Sequence, residues 1–283
     1  MAATLLLAGF WGTAEAQTTF SLSAPGSVTL ANTGSIGQFS GNTVVGVQTD
    51  APRWSLYVDS DYLTGPGDLD TERLLRLFGS ASAPITRFPE AQIAVHARRL
   101  IGVGGPMVNP AAFNLDLATK VGLLSVAGTY STVLRFWVDK GDGIQVPAGA
   151  INVSVNHEAY VLVTMEDAGV GVNTQAFGDY LALPMRLTIR TNSALGADVN
   201  VQLGTLLGPG AVQFPLASCA LGTSTDEAQA ATKATNAALG TVTNTYSMPR
   251  GQRTLYVVLR VKTAFNNAPG AYSGQLSVTG TVK

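Results

Sequence analysis

One cysteine and two histidines are all that this 283-residue chain contains of either type. A lone Cys219 cannot close an internal disulfide, so a disulfide-stapled scaffold is excluded and stability must come from a packed core. Its apolar setting, FPLASCALG, predicts a small buried residue. Neither His96 nor His157 has a second His or Cys at ligand spacing, which argues against a structural or catalytic zinc. Charge is scarce too: charged residues make up 12% of the chain, where roughly 25% is usual. Lys and Arg (17) nearly balance Asp and Glu (18), and no basic run stands out, so a nucleic-acid-binding face is not expected. Beyond its first residues, no stretch approaches the ~18 apolar residues of a membrane span. The motifs of a nucleophile elbow, a zinc-protease helix or a phosphate loop are missing as well, and the chain is read as a non-enzyme.

What remains is rich in glycine (31) and proline (13), with many Val, Thr, Ser and Asn residues. Such a composition predicts an all-β protein of short strands and many turns. Turn signals such as APGS, TGPGD, DKGDG and FNNAPG punctuate it. The fold class expected is two tandem immunoglobulin-like β-sandwiches with short helical insertions.

The start of the chain, MAATLLLAGFWGTAEAQ, has an apolar stretch from Ala3 to Trp11 and small residues at Ala14 and Ala16. That pattern predicts a signal peptide over residues 1–16, cut before Gln17, and hence an exported protein. Two later segments share a pattern. TVLRFWVDKGDGIQVPAGAINVSV (Thr132 to Val155) and YVVLRVKTAFNNAPGAYSGQLSV (Tyr256 to Val278) each carry Val-Leu-Arg, a polar turn, a Pro, and an alternating strand. Arg135 then matches Arg260, and Pro147 matches Pro269. Similarly, Trp54, Leu56 and Val58 match Met185, Leu187 and Ile189. The expectation is a diverged duplication, with one sandwich over 17–150 and the other over 151–283. Two helices are predicted as insertions. One, over Asp68 to Gly79, is read from DLDTERLLRLFG; the other, over Ser224 to Gly240, has Ser224 and Glu227 at capping-box spacing. The glycine-rich IGVGGP at Ile101 reads as a turn.

Four residues are candidates for a site. In VLRFWVD, strand alternation turns Leu134, Phe136 and Val138 inward and Arg135, Trp137 and Asp139 outward. An outward Trp137 beside Arg135 could stack on a sugar ring or anchor a protein partner. Asp139 and Asp142 of the DKGDG turn are candidate calcium ligands, although the same residues serve tight turns. A second acidic cluster joins Asp59 and Asp61 with the nearby Asp68 and Asp70. No other cofactor is expected. Trp54, by contrast, leads a strand on the face of Leu56 and Val58 and should be core.

Two resemblances rest on short stretches. WSL at Trp54 to Leu56 and YSGQLSV at Tyr272 to Val278 resemble the two halves of the WxL cell-wall-binding domains, with Val278 standing where the second Trp is expected. APGAYSGQLSVTGTV resembles the closing strand of spore-coat-U-like secreted pilus subunits, without their cysteines. Both imply only a class: an exported bacterial surface or envelope protein. The chain is therefore read as a non-catalytic structural or adhesive protein, secreted, on the cell surface or in the periplasm. Its expected partners are other surface proteins, copies of itself, or glycans. The alternatives are a carbohydrate-binding module using Trp137, and a pilus-type subunit whose terminal strand adds to a neighbour's sheet.

Overall fold

The computed structural model describes residues 18–67, 76–81, 91–92, 97–166 and 169–283. The predicted signal peptide over 1–16, together with His96, Asp68 and Asp70, lies outside the described residues. Among the described residues the chain is nearly all β. Its strands are β1 (Phe20–Ser23), β2 (Ser27–Asn32), β3 (Gln38–Thr49), β4 (Trp54–Ser60), β5 (Arg76–Ala81), β6 (Ala91–Gln92), β7 (Arg99–Gly104), β8 (Met107–Lys120), β9 (Gly128–Asp139) and β10 (Gln145–His157). They continue with β11 (Val161–Met165), β12 (Gly169–Thr174), β13 (Gly178–Leu181), β14 (Met185–Thr191), β15 (Ala197–Leu207), β16 (Gln213–Phe214) and β17 (Cys219–Ser224). After the helix α1 (Glu227–Asn236) come β18 (Thr243–Met248), β19 (Gly251–Thr263) and β20 (Gly270–Val282). No described helix is long and apolar enough to cross a membrane.

The first ten strands run in the order β6-β5-β8-β3-β2-β10-β9-β4-β7, with β1 added on β3. β2 is the link that folds this sheet over. Its Ser27–Leu30 pair in parallel with Asn152–Val155 of β10, while Ala31 and Asn32 pair antiparallel with Ser40 and Phe39 of β3. Strict alternation sends one face of each strand inward. Tyr130, Leu134, Phe136 and Val138 of β9 meet Leu56 and Val58 of β4, Val45 and Val47 of β3, and Ile151, Val153 and Val155 of β10 in one core. Trp54 is part of it, as expected: it is buried, and its indole Nε1–H donates to the Gly105 carbonyl at 2.8 Å. IGVGGP is mostly strand rather than turn. A Cβ on Gly104 would lie 2.4 Å from the Trp54 ring, so the glycine makes room for that indole.

The remaining strands build a second core between two sheets. One has the order β11-β14-β19-β13 with β17 on β19; the other has β12-β20-β15-β16 with β18 on β15. Leu187, Ile189, Leu255, Val257, Leu259 and Val261 from the first sheet meet Val199, Val201, Leu203, Leu206, Tyr272 and Leu276 from the second. Cys219 is fully buried here, and burial pushes its thiol pKa up to about 11. The unit boundary read at residues 150 and 151 falls inside β10, whose Ile151, Val153 and Val155 belong to the first core.

Three other readings are corrected. The first concerns the predicted helix over Asp68 to Gly79. Its described part, from Arg76, is β5, laid against β8 with Arg76 opposite Ala118 and Ala81 opposite Phe113. Pairing to an available edge overrides the local helical pattern. The second helix is present but begins later. Its N-cap is Asp226, which accepts from the Gln229 N–H at 2.8 Å, because Ser224 is still the end of β17. Ala230 and Ala234 seat this helix on Val258 and over Gly222. The third concerns the repeat, which does not give matching topologies. β9 and β10 form a hairpin with Ile151 opposite Leu134, whereas β19 and β20 lie in different sheets.

Candidate functional site

The outward side chains of β4 and β9 build a connected polar cluster. Register places Asp59 opposite Arg135 and Tyr57 opposite Trp137. Just past the end of β4, Asp61 brings its carboxylate onto the Arg135 guanidinium. Nη1 donates to Oδ1 at 3.0 Å, and Nη2 pairs with Oδ2. Asp59 is only 5% exposed. One of its oxygens lies 3.6 Å from Arg135 Nη1, and the other accepts from Trp137 Nε1–H at 3.0 Å. A carboxylate so nearly excluded from water needs a counter-charge, which Arg135 supplies. Over the Trp137 ring, 3.5 Å from its centroid, sits the Arg98 guanidinium, tethered by a 2.9 Å bond to the Gln145 side chain.

Trp137 is therefore half-buried, bonded through its nitrogen and capped on one face. That arrangement uses the residue for packing and charge placement on this surface, and the ring face under Arg98 is not open to a sugar. Arg135 and Trp137 stand out in the sequence, Asp59 and Asp61 only as part of a carboxylate cluster, and Arg98 not at all. The alternation of β4 against β9 was the available signal, since it puts Asp59 on the same face as Arg135.

Asp139 and Asp142 are occupied by the turn. One Asp139 oxygen accepts from the N–H of Gly141 at 2.8 Å and of Gly143 at 3.0 Å; Asp142 accepts from the Ile144 N–H at 2.9 Å. Gly141 and Gly143 have φ of 95° and 79°, a region that glycine enters freely. The two acids hold the backbone of a hairpin turn, and no third ligating side chain joins them among the described residues.

His157 closes β10. It is 2% exposed, its Nε2 has no hydrogen-bond partner among the described residues, and its ring packs edge-on against Phe39 and Tyr160. Burial lowers its pKa. It has the surroundings of a core residue.

The second core differs from the first in one respect that bears on function. β20 has thirteen residues, and β15 pairs with it from Ser273 to Val282. On its other side β12 covers only Gly270 to Gln275, so the seven residues from Leu276 to Val282 have no strand beside them among the described residues. β11 stands along this flank without pairing to it: Val161 packs on Gly280, where an added Cβ would lie 2.8 Å from its Cγ1, and Val161, Val163 and Val278 are only partly buried. In the first core the corresponding flank of β10 is covered by β2, and Ile151, Val153 and Val155 are fully buried.

No family model matches the chain, and no curated protein does. Among solved structures, a chain of the CsuC–CsuE chaperone–tip subunit pre-assembly complex of Acinetobacter baumannii is similar at a TM-score of 0.42 and 14% identity, covering 93% of this chain and 99% of its own. The CupB6 tip adhesin of Pseudomonas aeruginosa gives 0.34 and 8%, covering 94% and 93%. The CooA pilin subunit of enterotoxigenic Escherichia coli gives 0.34 and 16%, covering 50% of this chain and 99% of its own. Likeness of this degree fixes neither a function nor a partner.

Proposed function

We propose that this chain is an exported, non-catalytic protein of a bacterial surface or envelope that acts by protein–protein assembly. It is built as two immunoglobulin-like sandwiches in tandem, and the second is completed by an extended strand from another protein. The observation that carries this reading is the uncovered flank of β20 from Leu276 to Val282, facing the half-buried Val161 and Val163. An exposed strand edge offers a row of unpaired N–H and C=O groups, and native folds normally cover or blunt it. Here it is bordered by apolar side chains rather than by charges, which suits an added strand whose alternate residues are apolar. The flank is about 23 Å long at ~3.3 Å per residue, the length of one ordinary strand, and an added strand must displace Val161 where it packs on Gly280.

This reverses the roles in the strand-exchange reading. β20 is not a spare strand: Tyr272 and Leu276 are buried, and β15 pairs along most of its length. It serves as the acceptor. The test is a photo-crosslinking side chain at the exposed Thr279, introduced in the producing bacterium. Capture of an extended segment of an envelope protein, or of a second copy of this chain, is expected at Thr279 and not at Thr129 of β9. A chain that reaches no envelope fraction and captures nothing through Thr279 would count against the proposal.

A further inference from the structure

A cleft of about 480 Å³ opens where the first core meets the second. Its walls come from the end of β8 and the turn that follows, from the loop before β3, and from β14 and β19. Hydrogen bonds across the junction set its width. The Ala127 N–H donates to the Asn192 carbonyl at 3.1 Å, and the Tyr160 hydroxyl donates to the Leu123 carbonyl. Within the first unit, the Val121 N–H bonds the Gly37 carbonyl at 2.8 Å, fixing the turn to the loop beside it.

The cleft joins two kinds of surface. Lys120 and Arg190 line it with Gln38 and Gln252, and no carboxylate does so among the described residues. Among the described residues the Lys120 Nζ has no protein partner, and Arg190 uses only its Nε, which donates to the Gln252 side chain at 2.8 Å. Both Arg190 Nη groups are left over. By contrast, Arg135 binds Asp61 and Arg260 binds Asp179. Two unmatched cations on one cleft make a place of positive potential, and a planar guanidinium is shaped to take an oxyanion. The rest of the wall is aliphatic. Ile36 and Leu123 are each 41% exposed there, and among the described residues no aromatic ring lines the cleft to stack on a sugar.

We infer that this cleft binds a small amphipathic carboxylate, an aliphatic chain ending in a carboxylate that Lys120 and Arg190 hold while Ile36 and Leu123 cover the chain. Volume and lining fall within the usual range of small-molecule sites, mostly apolar with few polar anchors. Because Lys120 belongs to one unit and Arg190 to the other, the bound molecule would bridge the two and stiffen the junction. The proposal is independent of the strand-acceptor reading, since the cleft and the β20 flank share no residue.

The test uses decanoate as the probe, with decanol and acetate as controls, titrated calorimetrically into the full chain. Decanoate should bind saturably at one site, and each control at least tenfold more weakly. The double variant Lys120→Gln, Arg190→Gln should lose decanoate binding at least tenfold while keeping the circular-dichroism spectrum and melting temperature of the parent. Hydrogen exchange at residues 121–125 and 190–192 should slow when decanoate binds. The inference is overturned if decanoate fails to bind, if decanol binds as well as decanoate, or if the double variant binds decanoate as the parent does.

Discussion

Val153 on β10 and Val278 on β20 offer the same perturbation in two settings that differ in one feature. Both point into a core from the last strand of their unit, but Val153 is fully buried beneath a strand flanked by β2, whereas Val278 is partly buried beside the open flank. Replacing valine by alanine removes two methyl groups, worth about 0.8 kcal/mol each by transfer. At Val153 the closed surroundings add a cavity term, so Val153→Ala should cost about 2–3 kcal/mol. At Val278 part of the side chain already meets water and no sealed cavity forms, so Val278→Ala should cost about 1 kcal/mol or less. Urea unfolding separates the two. Trp54 and Trp137 lie in the first unit and no tryptophan follows residue 151, so tryptophan fluorescence follows the first core and circular dichroism the whole. When a partner strand occupies the flank, the cost at Val278 should rise toward that at Val153. Equal costs in the free protein would refute the idea that the second core is open at this edge.

Three further outcomes follow from the same structure. Arg135→Ala should destabilise by about 1–3 kcal/mol because it strands the buried Asp59, whereas Asp61→Ala should cost under about 1 kcal/mol because Asp59 still faces Arg135; urea denaturation of both variants checks the asymmetry. Gly222→Ala should cost about 2–4 kcal/mol: the added Cβ would lie 2.1 Å from the Ala230 carbonyl oxygen and 2.3 Å from the Ala234 nitrogen, so α1 must lift, and a melting temperature unchanged within a degree would contradict that seat. Burial holds the pKa of His157 below its ordinary value, so the unfolded chain takes up this proton first. Stability should therefore be undiminished above about pH 6.5 and fall as pH drops below it, by at most ~1.4 kcal/mol per pH unit. His157→Phe should remove that part of the slope in denaturation curves between pH 5 and 7.

Legibility in the sequence followed the range of the interaction. Alternation is local, so the inward sets Leu134, Phe136, Val138 and Tyr272, Leu276 could be read off directly, as could the burial of Trp54 and Cys219. Side chains that bond their own turn were half legible: Asp139 and Asp142 had two roles open, and the backbone N–H groups of Gly141, Gly143 and Ile144 occupy them. The helix over Asp68 to Gly79 failed in its described part because leucine spacing cannot reveal that β8 has an edge to fill. Arg98 was missed because its contact with Trp137 joins distant segments of the chain.

By itself the sequence determined that this is a β-rich chain of low charge with apolar faces on its strands, because period-two patterning and turn residues are properties of neighbours in the chain. Strand pairing is not. Two segments with the same Val-Leu-Arg and alternating pattern became a hairpin in the first unit and members of two different sheets in the second. A strand's pattern says which face it buries, but not which strand lies at its edge. Only the tertiary structure decided that β2 covers β10, that no described strand pairs with β20 beside β12 beyond Gln275, and that Lys120 and Arg190 meet across one cleft.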